Sequence, residues 1–300
     1  MAAPVRVMRW RGFAAVLAAA SLWGIAGVVA KALFNRGTIT PEVVVEIRLT
    51  AGLALTALIL WAQGRSVRLP RVTVLHLIPL GVAMVVSQAM YYLTISLADV
   101  ATAIFLQYTA PALVVAYTAV VHRERLTAPQ MACLIGALAG GYLLVVGPRG
   151  LAVSPEAVAS GIASALGFAG WILMGRSRGR TVGPWHMLFY GLLTGSVLWS
   201  LYVPPWRAYL TPLAPAEWSL LLFIVVFATV TPFALFLYGL RFLDSRSASL
   251  TATIEPVVAA AVAALLLGEA LAGREAAGAL LILASVVALQ RAPAGAGRVV

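Results

Sequence analysis

Residues 99–126 read DVATAIFLQYTAPALVVAYTAVVHRERL, and residues 244–271 read DSRSASLTATIEPVVAAAVAALLLGEAL. Asp99, Pro111, Glu124 and Leu126 recur as Asp244, Pro256, Glu269 and Leu271, without a gap, at an offset of 145 residues. That offset is almost half of the 300-residue chain, so the sequence is read as two copies of one unit. Each stretch is also apolar enough to lie in a membrane, which makes composition the next question.

Hydrophobic residues make up 62% of the chain and charged residues 10%, with a mean hydropathy of +0.98. A soluble domain carries about 25% charged residues to keep its surface wetted. A water-soluble globule, a disordered chain and a coiled coil are therefore excluded. The chain reads as an all-α integral membrane protein embedded in a lipid bilayer. Apolar runs of about 20 residues place ten spans at 12–34, 42–62, 73–97, 100–121, 129–147, 155–175, 183–203, 217–240, 246–267 and 271–290. The first is too long, and lacks a small-residue cleavage site, to be a removable signal peptide. All connections are short, so no soluble domain is expected.

Five spans in each unit make the second copy begin on the opposite side of the membrane. The expected fold is ten transmembrane helices in two inverted five-helix repeats, residues 1–150 and 151–300, around a central cavity. Such an architecture suits a transporter with its site near the midplane. Lys and Arg counts set the orientation. Fifteen lie at the N-terminus, in every second connection and at the C-terminus, against five in the other connections, so both termini are expected in the cytoplasm.

The net charge of +11 does not point to nucleic acid, because the basic residues sit in short clusters between apolar runs. The single Cys133 excludes an intrachain disulfide, and the three histidines have no ligand spacing. Neither a metal nor a cofactor is expected. The ten acids are dispersed with no pair at catalytic spacing, so the chain is not expected to be an enzyme.

Ionisable groups within spans are costly and mark function by default. Glu255 falls roughly 14 Å from one end of its span, near the midplane. Ser247, Thr251 and Glu255 are spaced to form one polar stripe beside Pro256, whose missing N–H frees a carbonyl. Glu255 is read either as an amine-binding or proton-carrying acid, or as a packing hydrogen bond. Glu46 and Arg48 lie roughly 8 and 10 Å into the second span; each is a possible structural or gating charge, with Arg48 also able to hold a carboxylate. Gln88, Tyr91 and Tyr92 share one face of span three, while Gln107 and Tyr108 lie at similar depth on span four. Trp23 and Trp171 add rings, each either cavity wall or core. Ser160, Ser164 and Gly167 read as a packing face, as do Ala132, Gly136 and Gly140.

Several of these residues also carry a resemblance. Leu22-Trp23-Gly24, Lys31, Pro41 and Arg48 resemble the opening pattern of the drug/metabolite transporter superfamily, specifically its ten-span EamA type. The end-of-repeat signature of that family is similar to Pro111 with Glu124-Arg125-Leu126, Gly136 and Gly140, and to Glu255-Pro256 with Gly268-Glu269-Ala270-Leu271. Within the family the chain most resembles bacterial exporters of aromatic and other small amino acids. The resemblance implies an inner-membrane exporter, expected to be a monomer, working by alternating access. The rival within transport is efflux of lipophilic cations; an assembly subunit without transport is the rival outside it.

Overall fold

The computed structural model describes residues 3–34, 36–98, 100–121, 123, 127–145, 154–179, 181–267 and 273–291. The repeat markers Asp99, Glu124, Arg125, Leu126 and 268–271 lie outside the described residues. All regular structure among the described residues is helical. In chain order the helices are α1 (Ala3–Phe34), α2 (Pro41–Ala62), α3 (Arg71–Leu97), α4 (Val100–Gln107), α5 (Ala110–Val121), α6 (Ala128–Val145) and α7 (Pro155–Arg178). They continue as α8 (Pro184–Ser200), α9 (Pro205–Tyr209), α10 (Pro215–Phe223), a π-helical turn at Ile224–Val230, α11 (Thr231–Gly239), α12 (Ser245–Ala252), α13 (Glu255–Leu267) and α14 (Gly273–Arg291). Six helical stretches among the described residues are long and apolar enough to cross a membrane, with the π turn inside the last of them.

Proline sets many of the helix starts. Pro41, Pro155, Pro184, Pro205 and Pro215 each open a helix, where a missing N–H has no intrahelical acceptor to disappoint. Ser154 caps α7 by accepting from the Ala157 amide at 3.2 Å, and Asp244 caps α12 by accepting from the Ser247 amide at 2.9 Å.

Two stretches that read as unbroken spans are instead interrupted. α4 ends at Gln107 and α5 begins at Ala110; α12 ends at Ala252 and α13 begins at Glu255. Both breaks fall at the same 145-residue offset as the repeat markers. Each is followed by a proline in the first turn of the new helix, Pro111 or Pro256, which accounts for the interruption. The stripe expected at Ser247, Thr251 and Glu255 is therefore split. Thr251 is fully buried and donates its hydroxyl to the Ser247 carbonyl at 2.6 Å, within its own helix.

Packing is by close contact at small residues. α3 lies along α7 where a Cβ on Gly167 would stand 2.6 Å from the Ser87 amide nitrogen, so only glycine lets these backbones meet. α1 crosses α13 at Gly24, where a Cβ would come within 2.7 Å of the Glu255 carbonyl. α6 pairs with α14 through Gly140 against Gly278 and Ile282. α2 packs on α8, and α1 also packs on α11. These crossings turn the inner faces of α1, α2, α3, α4, α7, α11 and α13 toward one cavity.

Candidate functional site

The cavity is walled by Trp23, Ala26, Gly27 and Ala30 of α1, Arg48 of α2, and Gln88, Tyr91, Tyr92 and Ile95 of α3. Gln107, Phe168, Ala228, Phe233 and Glu255 complete it. The space open to the centres of water-sized spheres is ≈ 50 Å³. One water needs about 10–15 Å³ on that measure, so the cavity admits a few waters or the polar end of a small solute.

Arg48 is buried, and its guanidinium is held by three acceptors. Its Nε donates to Thr229 Oγ1 at 2.8 Å and its Nη2 to the Ala228 carbonyl at 3.0 Å, while Nη1 donates to the Tyr92 hydroxyl. The guanidinium carbon also sits 5.1 Å from the centre of the Tyr92 ring. The Ala228 carbonyl is available because its α-helical donor would be the amide of residue 232, which is Pro232 and has no N–H. The π turn at Ile224–Val230 accommodates the same defect, and the orphaned carbonyl also accepts from Trp23 Nε1 at 3.1 Å. A guanidinium has five N–H donors. Three are engaged, leaving one on each terminal nitrogen, and no carboxylate pairs with Arg48 among the described residues.

Glu255 stands across the same cavity, at the first residue of α13 and hence at the positive end of that helix dipole. The Tyr108 hydroxyl lies 2.9 Å from its Oε2 and 3.0 Å from the Ala252 carbonyl. Ala252 is four residues before Pro256, so this carbonyl too has lost its helical donor. In both places a proline exposes a main-chain acceptor, and a polar group of the site takes it. Tyr108 thereby ties the break between α4 and α5 to the break between α12 and α13.

The amides are held differently. Gln107 Nε2 donates to Ser164 Oγ at 2.8 Å and to Ser87 Oγ at 3.3 Å, and Ser164 Oγ donates to the Ser87 carbonyl at 2.8 Å. Gln88 and the Tyr91 hydroxyl line the cavity and have no hydrogen-bond partner among the described residues. One wall is aromatic: Trp23 meets Phe168 and Phe233 edge-on at 5.8 and 5.1 Å between centroids.

The structure thus brings Trp23, Arg48, Gln88, Tyr91, Tyr92, Gln107 and Glu255 to one cavity, with Tyr108 bonded to Glu255 from behind. Three other candidates lie elsewhere. Thr251 is spent on its own helix. Trp171 is 1% exposed and packs behind the wall, its ring 4.9 Å from Phe233 and stacked on Phe168 at 6.0 Å. Glu46, two residues from Arg48, points away toward α8, as positions i and i+2 on a helix must. Phe168, Phe233 and Ala228 were not read from the sequence; Pro232 was the available signal, since it marks the carbonyl and ring beside it.

The sequence profile of the EamA-like transporter family matches the chain twice, over residues 10–146 and 156–290. An uncharacterized inner membrane transporter, YicL of Salmonella typhimurium, is 30% identical over 290 residues, which is 92% of this chain and 94% of that protein. An uncharacterized transporter of Archaeoglobus fulgidus is 30% identical over 211 residues, covering 70% of this chain and 74% of its own. A solved crystal structure shares the fold with a TM-score of 0.76 at 22% identity, over 94% of this chain and 96% of its own.

Proposed function

Because this chain belongs to the EamA-like transporter family, we propose that it exports amino acids, aromatic and hydrophobic ones and other small ones, across the bacterial inner membrane. The carrying observation is that Arg48 and Glu255 face one cavity without pairing with each other. A zwitterion supplies both missing partners. Its carboxylate takes the two remaining guanidinium donors of Arg48, in the bidentate geometry that group favours. Its ammonium takes Glu255, held in place by Tyr108. Gln88 and Tyr91 have free polar groups for the ligand backbone, and Trp23, Phe168 and Phe233 give its side chain an apolar, ring-accepting wall once the halves part to widen the cavity.

Alternating access between two inverted five-span halves, residues 1–150 and 151–300, is the proposed mechanism. The double profile match and the recurrence of the helix break at one offset support it. So does the packing. With α4–α5, α10–α11 and α12–α13 each taken as one stretch and α9 left out, the contacts of α3 with α7 and α8 are mirrored by those of α10–α11 with α1 and α2, and the pairs α2–α8 and α6–α14 map onto themselves. The breaks place pivots beside the site on both halves. Both termini are taken as cytoplasmic from the distribution of Arg, and the protein as a monomer.

Efflux of lipophilic cations is the competing reading. Glu255 alone would favour it, but Arg48 in the same cavity repels a second cation. The test is uptake by the purified protein in liposomes, against protein-free liposomes, with labelled phenylalanine, threonine and a lipophilic cation. Uptake of the amino acids and not the cation is expected; transport of the cation alone overturns the reading.

A further inference from the structure

Glu46 on α2 belongs to no part of the substrate cavity, yet it is fully buried. Its Oε1 accepts from the Ser200 hydroxyl of α8 at 2.9 Å. Its Oε2 is enclosed and has no partner, and one turn along α8 the Ser196 hydroxyl is enclosed and unpartnered as well. No cation pairs with Glu46 among the described residues. Arg48, two residues on, faces the substrate cavity and bonds to Thr229, Tyr92 and Ala228, not to Glu46. An ionised carboxylate enclosed with a single hydrogen bond is strongly disfavoured. Glu46 also lies inside α2, without the helix-end field that Glu255 enjoys.

The other titratable groups on the elements packed against α2 are engaged elsewhere or lie in water. On α8, His186 and Tyr190 bond to the Ser66 and Val67 carbonyls. On α9, Tyr209 bonds to Thr50 and Arg207 is exposed. Glu217 of α10 is taken by Thr38 and the Ala214 amide. On α3, Tyr92 serves Arg48, Tyr91 lines the substrate cavity, and Arg71 and His76 lie on exposed positions. Glu42, one turn before Glu46 on the same face of α2, is a second acid and brings no positive charge; it is only half-buried, and Trp199 Nε1 donates to its main-chain carbonyl at 3.1 Å.

We infer that Glu46, with Ser200 and Ser196, is a proton-binding site distinct from the substrate cavity, and that parting of α2 from α8 releases this proton to couple transport to the proton gradient. One O–H bond forms when the carboxylate takes a proton from water on one side. The same bond breaks when the site is wetted from the other. Position supports the coupling, because Arg48 and Glu46 ride the same helix and α2 crosses between the two halves to reach α8. The proton site stands without the amino-acid reading; the coupling rests on it.

The test uses the full chain in lipid vesicles and two readouts. In pH-difference infrared spectra the wild type is expected to show a protonated-carboxyl band that Glu46→Gln loses and Glu255→Gln keeps. Ser200→Ala should retain the band but shift its frequency, a change that a purely structural role for Glu46 does not predict. A band unchanged in Glu46→Gln overturns the proton site. In transport, an imposed pH gradient should accelerate phenylalanine flux through the wild type. Glu46→Gln should keep phenylalanine exchange within about twofold while losing the gradient response, a separation expected when driving force and substrate binding use different groups. An unchanged gradient response in Glu46→Gln, no response in the wild type, or a response to sodium in place of protons overturns the coupling. If the wild type moves no phenylalanine, the substrate reading fails and the infrared result alone decides the proton site.

Discussion

Replacing Arg48 by lysine keeps the charge and removes the fork. In the structure three of its donors are committed to Thr229, Tyr92 and Ala228, which leaves one N–H on each terminal nitrogen for a ligand. A lysine ammonium offers three donors on one atom and cannot hold both the π turn and a carboxylate in bidentate fashion. A hydrogen bond to a charged group contributes about 1.5–3 kcal/mol. Loss of one such bond to the substrate carboxylate therefore raises Kd about ten- to hundredfold. The assay is binding of labelled phenylalanine to protein in lipid nanodiscs, beside phenethylamine, which has the same ring and amine but no carboxylate. Arg48→Lys should weaken phenylalanine by that factor and phenethylamine by less than about threefold, since only the former uses the fork. Equal weakening of both ligands would mean that the fork does not hold the carboxylate and leave Arg48 as a clamp between α2 and the π turn.

Glu255→Gln should weaken phenylalanine binding by at least about tenfold, the loss of one charge-assisted contact, while phenylpropionate, which lacks the amine, is bound as before. Pro232→Ala returns an N–H to the Ala228 carbonyl, in competition with Arg48 and Trp23; thermal stability should hold or rise while phenylalanine transport falls. Gly167→Val puts side-chain atoms against the backbone of Ser87 and Ala83, and overpacking of that kind costs about 1–3 kcal/mol, read as a lower melting temperature and a smaller yield of folded protein.

The helical stretches were legible because burial in lipid leaves a long apolar signature, and most described helices begin and end close to the runs read from hydropathy; α1, which starts at Ala3 and not at residue 12, and the short α9 between two runs are the departures. Continuity was not legible. Hydropathy averages over a window and is blind to the interruptions at Tyr108–Thr109 and Thr253–Ile254, although Pro111 and Pro256 stood beside them. The cavity residues on α1, α2, α3 and α4 were found because a polar or charged side chain deep in a span has few alternatives to facing protein or water. Thr251 and Trp171 satisfied the same criteria and do not line the cavity. A threonine can satisfy itself on its own helix, and a tryptophan packs as well behind a wall as in it. Phe168 and Phe233 carried no signal of their own, since a phenylalanine in a span looks the same facing lipid, core or cavity. Glu46 and Arg48 stand two residues apart on α2, and that difference in helical phase separates the enclosed acid from the cavity.

One cavity is proposed to hold a zwitterion between Arg48 and Glu255. This is tested most directly by an experimental structure of the protein in a lipid nanodisc with phenylalanine bound. The ligand carboxylate is expected against the terminal nitrogens of Arg48, its amine against Glu255, and its ring against Trp23, Phe168 and Phe233. A ligand outside this cavity, or one that leaves either charged side chain without contact, would contradict it.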